Sequence, residues 1–180
     1  EDKERTMQDK AVEPAGKRIL VAYGTKRGST KEIAARIGEV LRRKGARVDV
    51  RPAGQVGAVD GYDLVVLGSS VYIGLWRRDV VQLVRRQREA LARKPLWIFS
   101  SGPTEAGDPM EAIGDWRYPK AVADFFSQHP PVDAVCFGGS IDLRKASYFE
   151  RNMIRRARVP IGDFRDWAAI EAWADRIPVY

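Results

Sequence analysis

One cysteine, Cys136, and one histidine, His129, among 180 residues remove several kinds of chemistry at once. A single thiol builds no disulfide framework, no CxxC redox pair and no thiolate set for zinc or an iron–sulfur cluster. A Ser-His-Asp site has only His129 to draw on, and this residue precedes Pro130 and Pro131 at the expected end of a helix, where capping is the commoner role. No stretch of about 18 apolar residues occurs, and residues 1–16 are charged without an apolar signal core, which points to a cytoplasmic protein. Those 16 residues are expected to form a flexible tail ahead of a single domain at 17–180. Any demanding redox chemistry must then come from a bound cofactor.

Charge is not scarce, but it is unbalanced. Thirty-one Lys and Arg against 24 Asp and Glu give a net charge of +7, which suits an anionic partner. No helix-turn-helix, RNA-binding signature or zinc spacing accompanies the charge, so nucleic acid is the weaker candidate. The basic runs at 42–47 and 77–88 read as solvated helix faces. The run at 151–158 differs, because Tyr148, Phe149, Met153 and Ile154 are interleaved with its arginines, as in a helix that rests on an anionic membrane or meets a propionate-bearing porphyrin.

The most informative segment is 17–30, KRILVAYGTKRGST, a short apolar strand that breaks into a polar turn and opens a helix. Hydroxyls and backbone N–H groups at a helix N-terminus suit a phosphate. A Walker A loop does not fit: Gly24 and Gly28 are one residue too close, and Ser29 stands where its Lys belongs. A dinucleotide fingerprint does not fit either, since the second strand ends on Arg51 instead of an acid. What remains is T-x-x-G-x-T, written Thr25, Lys26, Arg27, Gly28, Ser29, Thr30. Neutral hydroxyls around a glycine suit one terminal phosphomonoester, as in FMN, although the same residues also suit a plain polar helix cap.

Periodicity places strands at 19–23, 48–50, 63–69, 95–100 and 134–141, and helices at 31–44, 78–93, 119–128 and 167–177. The run DLVVLGS at 63–69 is continuously apolar, as in strands buried on both faces of a parallel sheet. Strands alternating with helices predict an α/β, doubly wound open sheet of about five parallel strands. Ligands in such sheets sit beyond the carboxyl ends of the strands.

Two more loops fall at those ends, one carrying Ser69, Ser70, Val71, Tyr72, Ile73 and Gly74, the other Ser101, Gly102, Pro103 and Thr104. With the Thr25–Thr30 loop they make the chain resemble flavodoxin-fold proteins over most of 17–177. The resemblance implies a sheet order of 2-1-3-4-5 with FMN lying along the three loops. A closer similarity is to the menaquinone-dependent protoporphyrinogen IX dehydrogenases of heme biosynthesis, carried by T-[KR]-x-G-x-T, the stretch 68–74, the segment 139–156 and the terminal D-x-R-D-W at 163–167. The stretch 157–163 departs from those relatives in being short and polar.

Within this picture Lys26 and Arg27 add attraction for the phosphate of about 0.3–1 kcal/mol each if exposed. Tyr72 is a candidate to stack on the flavin, and Gly74 and Gly102 allow close backbone approach. Trp76 and Trp116 flank the expected mouth and either meet a planar ligand or cover an apolar patch. Glu105 and Asp108 follow the fourth strand, but no acid or base stands out as catalytic. The leading expectation is an FMN-dependent oxidoreductase of the protoporphyrinogen dehydrogenase branch, passing electrons from a reduced substrate to a quinone or other acceptor. Its basic charge sets it apart from the typically acidic shuttle flavodoxins. The alternatives are an electron-transfer flavodoxin without its own substrate and a binding module that has lost FMN.

Overall fold

Along β1 (Arg18–Gly24) the side chains divide by twos: Ile19, Val21 and Tyr23 enter one apolar cluster, Leu20 and Ala22 another, and all five are buried. A strand buried on both faces needs a helix layer on each side, and that requirement sets the architecture. The computed structural model describes residues 16–102 and 107–180. Expectations placed on residues 1–15, and on Pro103, Thr104 and Glu105, fall outside the described residues.

The remaining strands are β2 (Arg47–Pro52), β3 (Leu64–Tyr72), β4 (Leu75–Trp76), β5 (Leu96–Ser101), β6 (Asp133–Phe137), β7 (Ser140–Ile141) and β8 (Gly162–Asp163). The main sheet runs β2-β1-β3-β5-β6, all parallel, with β4 folded back antiparallel on the end of β3. Leaving out that small hairpin strand, the order is the expected 2-1-3-4-5. One face carries α1 (Ser29–Arg43) and α7 (Trp167–Asp175), whose Ile33, Ile37, Leu41, Ile170 and Trp173 pack on Val21, Val66 and Phe99. The opposite face carries α2 (Arg78–Arg86), α3 (Arg88–Leu91) and α5 (Lys120–Gln128), with Leu83, Leu91, Phe125 and Phe126 against Leu67 and Ile98. Each such large side chain contributes roughly 1.5–3 kcal/mol of burial.

Several elements differ from the periodicity reading. The helix expected over 78–93 breaks at Gln87 (φ −106°, ψ 19°), where the side-chain amide donates to Gly57 O at 2.9 Å and so ties the helix to the 57–59 loop. The strand expected over 134–141 stops at Phe137. Gly138 lies so close to the Phe164 carbonyl that a Cβ there would come within 2.0 Å of its oxygen, and the chain turns off to pair β7 with β8. The stretch after β5, expected as a loop, holds a short helix, α4 (Pro109–Ile113), whose cap is Asp108, accepting from the Met110 N–H at 2.8 Å. Asp108 therefore has a local structural task. His129 stands at the end of α5, its N–H donating to Phe125 O at 2.9 Å.

The segment after β7 forms α6 (Tyr148–Arg156), started by a reciprocal capping box between Ser147 and Glu150. Only Ile154 of this helix is buried.

Candidate functional site

At the carboxyl end of β1 the chain must reverse into α1, and Gly28 (φ 93°) takes the left-handed conformation that a β-branched residue resists. Its N–H donates to Thr25 Oγ1 at 2.9 Å, so Thr25 shapes the loop from within. Helix α1 starts at Ser29, two residues before the expected Lys31, and this puts both Ser29 and Thr30 in its first turn. The first N–H groups of a helix have no acceptor within it.

Thr30 is fully buried, yet its Oγ1 has no hydrogen-bond partner among the described residues, and neither has Arg27 Nε. An unpaired buried polar group costs about 1–3 kcal/mol. The loop is held from behind by Arg165 of the D-x-R-D-W motif. Its Nη1 donates to Ser29 O at 3.3 Å and to Glu32 Oε2 at 2.6 Å, its Nη2 pairs with Asp163 at 2.6 Å, and its guanidinium lies 4.7 Å from the centre of the Trp167 ring. Asp163 is pushed below the usual carboxylate range chiefly by the hydrogen bond from Arg165.

The second loop is an extension of β3, which runs through Tyr72 instead of ending at Ser69. Ile73 (φ 51°) and Gly74 (φ 67°) make the two-residue turn into β4, with Tyr72 paired to Leu75. Ser69 is buried and accepts from the Arg77 N–H at 2.8 Å, fixing the hairpin's return. Gly102 at the end of β5 donates to Phe137 O, and a Cβ on it would lie 3.1 Å from Val71.

These loops meet around a cavity of about 310 Å³. Of the residues singled out in the sequence, Lys26, Arg27, Ser29, Ser70, Val71, Tyr72, Ile73, Ser101 and Gly102 line it, whereas Thr25, Gly28, Thr30 and Gly74 are not among its lining residues. Tyr72 is 60% exposed, with Lys26 Nζ 5.9 Å from its ring centre. Trp76 is not at the mouth: it is 6% exposed, donates to Ser100 Oγ at 2.9 Å and packs edge-on against Phe126. Trp116 packs partly buried against the same cluster.

The cavity's other wall was not among the cofactor-binding candidates, although the sequence singles out the segment 139–156, with Met153 and Ile154, for its aromatics and arginines. Gly139, Ser140 and Ile141 line it, as do Glu150, Met153 and Ile154 of α6 and Ala157 and Val159 beyond it. The S-x-x-E spacing of Ser147 and Glu150 is the signal that would have marked the start of this helix. Glu150 forms ion pairs with both loop cations, Lys26 and Arg27, the latter at 3.2 Å. Its carboxyl is held down to about 2, first by the hydrogen bond from Lys26.

Parallel strands, a phosphate-type turn at the topological switch point and a cavity closed by the ends of β3 and β5 define a doubly wound α/β protein with its cavity where such sheets take their ligands. A flavodoxin domain model matches residues 20–165, and the chain belongs to that family. It is 35% identical over 68 residues to a flavodoxin of Nitratidesulfovibrio vulgaris (strain Miyazaki F), covering 36% of this chain and less than half, 43%, of the relative. Its fold is similar to that of a short-chain flavodoxin associated with a PDU bacterial microcompartment (TM-score 0.57, 14% identity, 88% and 94% of the two chains). It is also similar to rubredoxin oxygen:oxidoreductase from Desulfovibrio gigas (TM-score 0.52, 12% identity, 89% and 37%). The cofactor of the family is FMN. Among the described residues no helix is long and apolar enough to cross a membrane, and no cluster of three or more His, Cys, Asp or Glu side chains could hold a metal ion.

Proposed function

We propose that this chain holds FMN in the cavity between its three loops and α6 and works as an oxidoreductase exchanging electrons with a redox partner. The observation that carries this is Thr30, a fully buried hydroxyl left without a partner in the first turn of α1. A phosphate oxygen is an acceptor of the right kind for it. Ser29 and the unpaired N–H groups of α1 supply further donors, and Lys26 and Arg27 supply compensating charge. Val71, Tyr72 and Ile73 offer an apolar and aromatic surface for a flat ring, with Ser70, Ser101 and Gly102 along its edge. FMN when bound supplies reversible uptake of one or two electrons. The protein's part is to bind it, orient it and keep water from one face.

A second reading gives the site its own substrate, a reduced porphyrinogen-type compound whose electrons pass to a quinone at the cytoplasmic face of a membrane. One feature favours it: Tyr148 and Phe149 are 86% and 71% exposed on the helix that walls the cavity, beside Arg151, Arg155 and Arg156. Binding to anionic vesicles that depends on Phe149 and Arg155 would mark this reading, and its absence would leave the electron carrier.

The test is an absorption spectrum of the protein with and without added FMN. Flavin bands should travel with the protein and be lost in the variant carrying both Gly28→Val and Thr30→Ala. No uptake by the unaltered protein overturns the proposal. Anaerobic photoreduction then separates one-electron from two-electron behaviour.

A further inference from the structure

Glu150 stands where an anionic ligand of the loop would compete with it. One carboxylate oxygen, Oε2, accepts from the Ser147 N–H at 3.0 Å and closes the capping box of α6. The other, Oε1, receives both Lys26 Nζ and Arg27 Nη2. Among the described residues these two cations have no other carboxylate partner, whereas Arg165, which holds the loop from behind, is committed to Asp163 and Glu32. Glu150, Ser29, Lys26 and Arg27 all line the same cavity.

Apart from this pairing, α6 is weakly held. Ile154 is its one buried residue, while Tyr148, Phe149 and Met153 are exposed. A phosphate dianion bound at the start of α1 would repel this carboxylate and draw on the same Lys26 and Arg27, which line the cavity with it.

Resting on the FMN reading above, we propose that Glu150 is an internal anion occupying the cationic edge of the phosphate loop, so that docking of α6 and binding of the cofactor's phosphate oppose each other. Coupling of this kind is reciprocal: the phosphate loosens α6, and a docked α6 weakens the phosphate. Glu150 then sets how strongly the site prefers a phosphorylated flavin over the same flavin without its phosphate.

The experiment uses Glu150→Gln, because Gln keeps the capping box and removes only the charge. FMN and riboflavin, which lacks the phosphate, are titrated into the wild-type protein and the variant by quenching of flavin fluorescence. The variant should bind FMN three- to tenfold more tightly and riboflavin unchanged. Trypsin cleavage after Arg151 or Arg155 is followed in parallel. It should accelerate in the wild-type protein when FMN is added, and in the variant without FMN.

If the wild-type protein binds FMN but Glu150→Gln binds it equally or more weakly, the internal-anion proposal is overturned and the FMN reading stands. A matching gain for riboflavin also overturns it, since the phosphate would not be what Glu150 opposes. If neither protein binds FMN, both readings fall. The cleavage assay without FMN still stands alone: no acceleration in Glu150→Gln shows that the pairing does not hold α6.

Discussion

The two walls of the cavity are built by different physics. One wall is the ends of β1, β3 and β5 with the turns that leave them, and its backbone is fixed by six-residue parallel registers and by buried side chains on both faces of the sheet. The other is α6 and its flanks, fixed by Ile154, a capping box and two ion pairs to the loop. Exposed ion pairs contribute little, commonly 0–1 kcal/mol, whereas a buried core side chain contributes several times more. The sheet wall should therefore share the stability of the whole domain, and the helix wall should open by itself.

The largest expected effect is on the sheet wall, at Gly68. A Cβ there would lie 2.0 Å from the Phe99 ring in the centre of the core, so Gly68→Ala forces the ring or the strand to shift. Such overpacking costs about 1–3 kcal/mol. At about 2–4 °C per kcal/mol for a domain of this size, thermal unfolding should fall by roughly 2–12 °C as one transition. An unchanged midpoint would show that the strand ends are not rigidly tied to the core.

Most of the sheet wall could be read in the sequence. The apolar run at 63–69, the strand at 19–23 and the hydroxyl turn after it obey local rules, since each strand's burial pattern and each turn's chemistry are written in consecutive residues. The exact ends could not. Strand β3 continues through Tyr72 because β4 returns to pair with it, and β6 stops at Phe137 because Phe164, 27 positions on in sequence, presses on Gly138. Trp76 is polar enough at its ring nitrogen to suit a cavity mouth, but Ser100 and Phe126 draw it into the core. The helix wall was legible only as an interleaving of aromatics with arginines. Its place over the cavity depends on Glu150 meeting Lys26 and Arg27 more than a hundred residues away, which no window of sequence contains.

Ile154→Ala sharpens the comparison from the other side. Removing a buried isoleucine from a packed core costs about 2–5 kcal/mol, but at the edge of this cavity, where the site collapses readily, the cost belongs to the lower end and to α6 alone. Trypsin cleavage within α6 should rise several-fold while the thermal midpoint of the domain stays within about 2 °C. A drop as large as that of Gly68→Ala would place α6 inside the same cooperative unit as the sheet and abolish the distinction between the walls.

The smallest effect is the most local, the titration of Glu150. Its folded-state carboxyl titrates near 2, below the ordinary 4.5, because Lys26, the Ser147 N–H and Arg27 favour the charged form. A depressed carboxylate gives its full contribution above the ordinary value and loses it as the pH falls from about 4.5 toward about 2. Docking of α6 is therefore insensitive to pH through the neutral range and weakens only in acid. The side-chain carboxyl carbon of Glu150, followed by NMR, should still report the charged form at pH 3.5, where an unperturbed glutamate is mostly protonated. A midpoint near the ordinary value would mean that the carboxylate spends its time in water and that the helix wall rests on Ile154 alone. Repeating the titration in Lys26→Met separates the contributions: the midpoint should rise toward the ordinary range yet stay below it, because the Ser147 N–H and Arg27 remain.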